Sequence, residues 1–148
     1  HGVPANAAAW AKLKETNSII DAVEAGVRDT ELDMDNLSVG LQGLPDREGI
    51  TTLDASIMTG DGACGSVAFL RQIKHPISLA RAVMEKTPHV MLAGEGARQF
   101  AIAQGFPLEE EVLSSKAQIE YDKWKVTSQY KPVINIENHD TIGMIALD

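Results

Sequence analysis

Cysteine, aromatic side chains and positive charge are all scarce in this sequence, and each scarcity excludes something. Cys64 stands alone, so neither an internal disulfide nor a cysteine-built zinc site can form. Phe, Trp and Tyr make up 5% of the residues, too few for a platform on which single-stranded nucleic acid would stack. Thirteen Lys and Arg stand against 21 Asp and Glu, and the resulting net charge of −8 repels a phosphate backbone over most of the surface. No nucleic-acid partner is expected. No apolar run approaches the roughly 18 to 20 residues that a membrane-spanning helix needs, so no membrane partner is expected either. What is present, 44% hydrophobic and 23% charged residues in a chain of 148, is ordinary folded-domain composition and suits a single core.

The two ends are unusual. The chain opens at His1-Gly2-Val3-Pro4 with no initiator methionine and no signal-peptide pattern. It stops at Ile145-Ala146-Leu147-Asp148, inside what reads as an apolar strand. A processed or trimmed piece of a longer chain is the expectation.

Local patterns predict the elements. Alanine-rich Ala5 to Leu13 favours a helix, and Asn17 or Ser18 can cap a second one through Ile19, Ile20, Ala22, Val23 and Val27. Asp29 to Asn36 reads as an acidic, solvated connector, and Ser38 to Asp46 as a glycine- and proline-punctuated loop. From Thr51 the period becomes two, and Gly60-Asp61-Gly62 turns the chain into a second strand from Cys64 to Leu70. His75-Pro76 starts a third helix that Thr87-Pro88 ends. A short strand at His89 to Leu92 precedes a helix opened by Gly94-Glu95-Gly96. Glu109 to Lys125 is expected to be an exposed helix, and Tyr130 to Asn138 an irregular polar linker. Helix pair, hairpin, helix, strand, helix is the order of a layered α/β or α+β architecture.

Most candidate sites have a plain structural reading. Gly94-Glu95-Gly96 could cradle an anion, but it lacks a phosphate-loop lysine and Glu95 repels phosphate, so a helix-start turn is the simpler reading. The four histidines, at 1, 75, 89 and 139, have no metal-ligand spacing, and no metal is expected. Glu109-Glu110-Glu111 reads as a solvated helix start. Asp61-Gly62 and Asp46-Arg47-Glu48-Gly49 read as turns, and Cys64 as a buried thiol.

His139-Asp140-Thr141-Ile142-Gly143-Met144 is different. As spacing it fits a strand cap. Chemically it also fits self-cleavage: the Thr141 hydroxyl attacks the Asp140 carbonyl, the peptide becomes an ester, and water frees a new amino terminus at Thr141. Asp140 is placed to act as base. The freed amine, with a reference pKa of about 7.7 to 8.0, could then activate its own hydroxyl.

At these residues the chain resembles the processing junction of the glycosylasparaginases, members of the N-terminal nucleophile hydrolases. The likeness extends through Asp21-Ala22-Val23-Glu24-Ala25-Gly26, Ser38-Val39-Gly40 before Gly43-Leu44-Pro45, and Thr52-Leu53-Asp54-Ala55. It continues through Lys74-His75-Pro76-Ile77-Ser78, Glu85-Lys86-Thr87-Pro88-His89 and Asn135-Ile136-Glu137-Asn138. The resemblance implies a four-layer αββα sandwich, here incomplete, in which residues 1–148 are part of one domain. Residues 1–140 would be the α-chain region and 141–148 the first strand of the β chain. It also implies cleavage between Asp140 and Thr141, with His139 and Asp140 serving maturation and Thr141 serving as the catalytic nucleophile. Ser38 would be an orienting hydroxyl near that nucleophile.

The implied substrate is asparagine whose side-chain amide carries N-acetylglucosamine, hydrolysed with no cofactor and no metal. The implied partners are the rest of the β chain and a second αβ pair, giving an (αβ)2 heterotetramer, in lysosomes or bacterial periplasm. The family's N-terminal strand with its active-site Trp lies outside these residues. So do its oxyanion-hole Thr-Gly and its Arg/Asp clamp for the substrate, so this segment alone is expected to be inactive. Two alternatives remain: a plant-type asparaginase or isoaspartyl dipeptidase of the same fold, and a non-catalytic module holding a small anion.

Overall fold

Alanines 5, 7, 8, 9 and 11 lose almost no side-chain entropy on becoming helical, and the computed structural model begins with a helix, α1 (Gly2–Thr16). The structure describes residues 2–128 and 141–147. α1 is longer than the alanine run because Pro4 is tolerated in a first turn and Lys14 complements the dipole of the last. Asn17, at φ +52°, then turns the chain, and the Ser18 hydroxyl caps α2 (Ile19–Glu31) by accepting from the Asp21 N–H at 3.3 Å. The two helices pack together around Gly26. A Cβ there would stand 2.8 Å from the Ala5 carbonyl oxygen, so glycine is what permits the approach.

β1 (Leu53–Met58) and β2 (Cys64–Leu70) form the expected antiparallel hairpin, with Met58 opposite Cys64 and Leu53 opposite Leu70. The register slips between Leu53 and Ala55, where the Phe69 N–H donates to an Asp54 carboxylate oxygen at 2.8 Å. β3 (Met91–Ala93) joins β2 in parallel, giving a three-stranded sheet in the order β1-β2-β3. Between β2 and β3 runs α3 (Pro76–Lys86), with Pro76 in its first turn and Thr87 as C-cap. It lies on one face of the sheet so closely that a Cβ on Gly65 would stand 2.1 Å from the Ala80 carbonyl oxygen. α4 (Gly94–Ala103) closes against β2, and α5 (Ser115–Thr127) follows.

The core is the seam between sheet and helices: Ile57, Val67, Leu70, Ile73, Ile77, Leu79, Val83 and Ala101 are buried together. The opposite side of β1, carrying Asp54, Ser56 and Met58, faces solvent. This is a mixed α+β arrangement of five helices and one three-stranded sheet among the described residues.

Four expectations are corrected. The short strand runs Met91–Ala93 rather than His89 to Leu92, because pairing with Ser66, Val67 and Ala68 sets its limits. Residues 109–114 are not helical; the Glu109 N–H donates to the Gln72 carbonyl at 2.9 Å, and the helix waits for its cap at Ser114. The stretch from Asp29 to Asn36 is not a solvated loop throughout, since α2 continues to Glu31, and Thr30, Glu31 and Asn36 are buried. Residues 141–147 keep a period-two exposure pattern but join no hydrogen-bonded ladder. Ile142 and Met144 pack against the core, and the Met144 thioether fills the space over Gly26, so side-chain packing holds the segment where strand pairing was expected.

Candidate functional site

Two stretches carry the residues singled out in the sequence: the loop after α2 and the segment that starts at Thr141. The loop is built by short-range hydrogen bonds. The Asn36 N–H donates to the Asp33 carbonyl at 3.1 Å, and the Asn36 side-chain oxygen accepts from the Ser38 N–H at 2.9 Å. The N–H of Gly43 reaches the Gly40 carbonyl at 2.9 Å, and that of Leu44 reaches the Leu37 carbonyl at 2.8 Å. Ser38 is thereby presented at the surface of a tied loop. Gly40, at φ +83°, lies against the backbone of Glu31, where a Cβ would come within 2.5 Å of the carbonyl oxygen.

Thr141 is exposed at the head of its segment, whose half-buried Ile142 and Met144 anchor it. No hydrogen bond among the described residues joins Thr141 to Ser38. His139 and Asp140 lie outside the described residues. So does the linker expected from Tyr130 to Asn138.

A cluster the sequence reading missed lies behind the Ser38 loop. The Glu31 side chain is 1% exposed, yet both its oxygens are satisfied. One lies 2.9 Å from His75 Nδ1, and the other accepts from the Ile77 N–H at 3.0 Å, which makes Glu31 an acidic cap on the first turn of α3. Burial pushes the Glu31 carboxyl above its usual range, against the opposing pull of His75 and the Ile77 N–H. The outer edge of His75 opens on a cavity lined also by Arg28, Lys74, Gln104 and Phe106. Nothing near Glu31 in sequence announced this, because both partners come from 44 and 46 residues away.

The same seam between α2 and α3 carries a second network. Arg81 donates to Asp21 at 2.6 Å and to Glu24 at 2.7 Å, and its Nε reaches Glu85 at 2.6 Å. The Ser78 hydroxyl donates to Glu24 and accepts from Arg28 at 2.9 Å. The Arg81 bond holds the Asp21 carboxyl below the usual carboxylate range.

Among the remaining sequence candidates, the turns at Gly94, Asp46 and Asp61 take their plain readings, whereas Glu111 and Cys64 depart from theirs. Glu95 accepts from Arg98 at 2.8 Å and from Gln99 at 3.2 Å, so the Gly94 turn starts a helix and presents a paired carboxylate. Asp46 accepts from the Glu48 and Ile50 N–H groups at 2.9 and 3.0 Å, and Asp61 from the Ala63 N–H at 3.3 Å, as turn residues do. Glu111 is held by Arg71 through two oxygens at 2.5 Å and belongs to no helix start. Cys64 is half-buried. His89 is exposed, and no group of three or more His, Cys, Asp or Glu among the described residues could hold a metal ion. Among those residues no helix is long and apolar enough to cross a membrane.

Comparison with known proteins places this arrangement. The model of a family described as asparaginase matches residues 4–148. Over 147 residues the chain is 56% identical to an N(4)-(Beta-N-acetylglucosaminyl)-L-asparaginase of Elizabethkingia miricola, covering 99% of this chain and 43% of that protein. It is 36% identical over 173 residues to the enzyme of the same name from Rattus norvegicus, covering 97% of this chain and 50% of the other. An Isoaspartyl peptidase/L-asparaginase of Bos taurus is 37% identical over 139 residues, 92% of this chain and 45% of that protein. The chain thus spans half the length or less of these curated relatives. The family match nonetheless runs through both the Ser38 loop and the Thr141 segment: the chain belongs to the asparaginase family.

Proposed function

We propose that this chain is the self-cleaving part of an amidohydrolase that splits the amide joining N-acetylglucosamine to an asparagine side chain. The observation that carries this reading is the 56% identity over nearly the whole chain to a protein named for that activity. The exposed position of Thr141, at the head of a segment anchored through Met144, supports it.

In this reading the Thr141 Oγ attacks the Asp140 carbonyl carbon and the nitrogen of Thr141 leaves, taking a proton. Asp140 assists as base and His139 belongs to the same junction. Water hydrolyses the ester and frees the Thr141 amine, whose reference pKa of about 7.7 to 8.0 suits it to deprotonate its own hydroxyl. In turnover the same Oγ adds to the substrate's side-chain carbonyl and forms a β-aspartyl ester as the glycosylamine leaves. Water then releases aspartate. Ser38 orients the Thr141 amine or hydroxyl. Stabilisation of the tetrahedral oxyanion comes from the rest of the β chain, which is the first partner this chain requires. The solvent-facing side of β1 is where a second sheet would complete the four-layer sandwich, and two αβ pairs would form the heterotetramer. No metal or cofactor enters any step.

N-terminal sequencing of the full-length protein tests the cleavage, with a chain beginning at Thr141 as the expected result. Thr141→Ala should leave one uncut chain; splitting before residue 141 in that variant overturns the assignment. The 37% identity to an Isoaspartyl peptidase/L-asparaginase supports a second reading within the same fold. Faster turnover of β-aspartyl dipeptides or free asparagine than of glycosylated asparagine would decide for it. Ligand binding with neither processing nor hydrolysis would point to the small-anion module.

A further inference from the structure

Glu31 is a costly residue where it stands. A carboxylate with 1% of its side chain exposed is stable only because every oxygen has a partner, and its partners tie three pieces of chain together. Its oxygens hold His75 and the first turn of α3. Its own carbonyl is the surface on which Gly40 rests, so closely that no side chain fits between them. Gly40 is two residues from Ser38, and the span between is closed on its other side by the Asn36 side chain, itself buried. The loop that presents Ser38 therefore leans on Glu31, and Glu31 is locked to a helix that packs on the sheet.

We propose that Glu31 is a positioning residue: by bridging His75 and the N-terminus of α3 it sets where the Asn36–Gly40 loop sits, and through that loop the placement of the Ser38 hydroxyl. This rests on the role given to Ser38 above. A hydroxyl that orients a nucleophile acts through its position, and a displacement of the order of 1 Å in such a group costs up to about a hundredfold in rate. Loss of the bridge should therefore appear in kcat, carried by Ser38, and only weakly in KM.

The test is a double-mutant cycle on the processed full-length enzyme with glycosylated asparagine as substrate. Ser38→Ala alone must lower kcat; if it does not, the role of Ser38 is refuted and the proposal for Glu31 with it, while cleavage before Thr141 is untouched. Glu31→Ala should lower kcat about tenfold with KM within about twofold, and in the Ser38→Ala background the same change should cost less than about twofold. An equal factor in both backgrounds, or a loss matched by the loss of folded protein in circular dichroism, overturns the proposal. Glu31→Gln guards against failure to fold. It keeps the volume and the acceptor for the Ile77 N–H but turns amide hydrogens toward His75 Nδ1, so a smaller loss is expected, again confined to the background that retains Ser38. A Glu31→Gln loss that persists without Ser38 is equally fatal.

Discussion

Helices α3 and α5 are nearly equal in length, 11 and 13 residues, and differ in almost everything else. α3 buries Pro76, Ile77, Leu79, Ala80, Ala82 and Val83 against the sheet, whereas α5 buries Ala117 alone. α5 is held by separate polar ties instead. Ser114 caps it by accepting from the Ala117 N–H at 3.1 Å, and the Tyr121 hydroxyl donates to the Arg47 carbonyl at 3.0 Å. Lys116 pairs with Asp35, and the Tyr121 ring stacks on Trp124 with centroids 6.2 Å apart. Apolar burial scales with area and polar ties at the surface do not, so α3 is a structural member and α5 an attached one.

The comparison can be broken at its strong end first. Leu79→Ala deletes a fully buried side chain and should cost about 3 kcal/mol of stability, read as a fall in the urea midpoint; Ile119→Ala on α5 should change it by less than about 0.5. Equal losses from the two would show that α5 is as much part of the core as α3. Gly65→Ala drives a methyl into the α3 backbone and should cost about 2 kcal/mol, with a matching drop in melting temperature. Retention of wild-type stability there would mean that α3 can slide on the sheet.

At the weak end, Tyr121→Phe removes one exposed hydrogen bond and should cost at most about 1 kcal/mol. Hydrogen exchange should then quicken across α5 and remain unchanged across α3. Protection lost in both helices would tie α5 to the global unfolding unit.

The smallest effect is a pH dependence that separates two carboxyls of the α2–α3 seam. Glu31 has its pKa raised by burial, so its stabilising contribution is full below its unfolded value and declines as pH rises through the raised one. Asp21 has its pKa lowered by Arg81, so its contribution is full above its unfolded value and is lost as pH falls. Urea midpoints followed from acid to neutral pH should lose their acid-limb slope in Asp21→Asn. Glu31→Gln should instead remove a decline on the neutral side. If the two variants alter the same limb, one of these environments is wrongly described.

The hairpin and α3 were legible in the sequence because their signals are local. Alternation from Leu53, the Gly60-Asp61-Gly62 turn and Pro76 in a first turn each act within a few residues. Glu31 was not legible. In a run containing Asp29, Asp33 and Asp35, another acid reads as solvated, and nothing nearby shows that His75 and the amide of Ile77 will meet it in the interior. Glu111 misled in the same direction: three consecutive acids suit a helix start, yet Arg71, 40 residues earlier, claims one of them.

Composition by itself excluded an internal disulfide and argued against a nucleic-acid partner; the His139-Asp140-Thr141 motif suggested Thr141 as a nucleophile, and the family resemblance added Ser38 as a candidate beside it. Those conclusions depend on residue types and short spacings, which a sequence displays in full. The tertiary structure decided that Glu31 is interior, that the Ser38 loop rests on it, and that the Thr141 segment is seated over Gly26 by Met144. Each of these is a contact between residues far apart in the chain. What a buried charge or a glycine contributes depends on the atom that comes to face it, and folding alone supplies that atom.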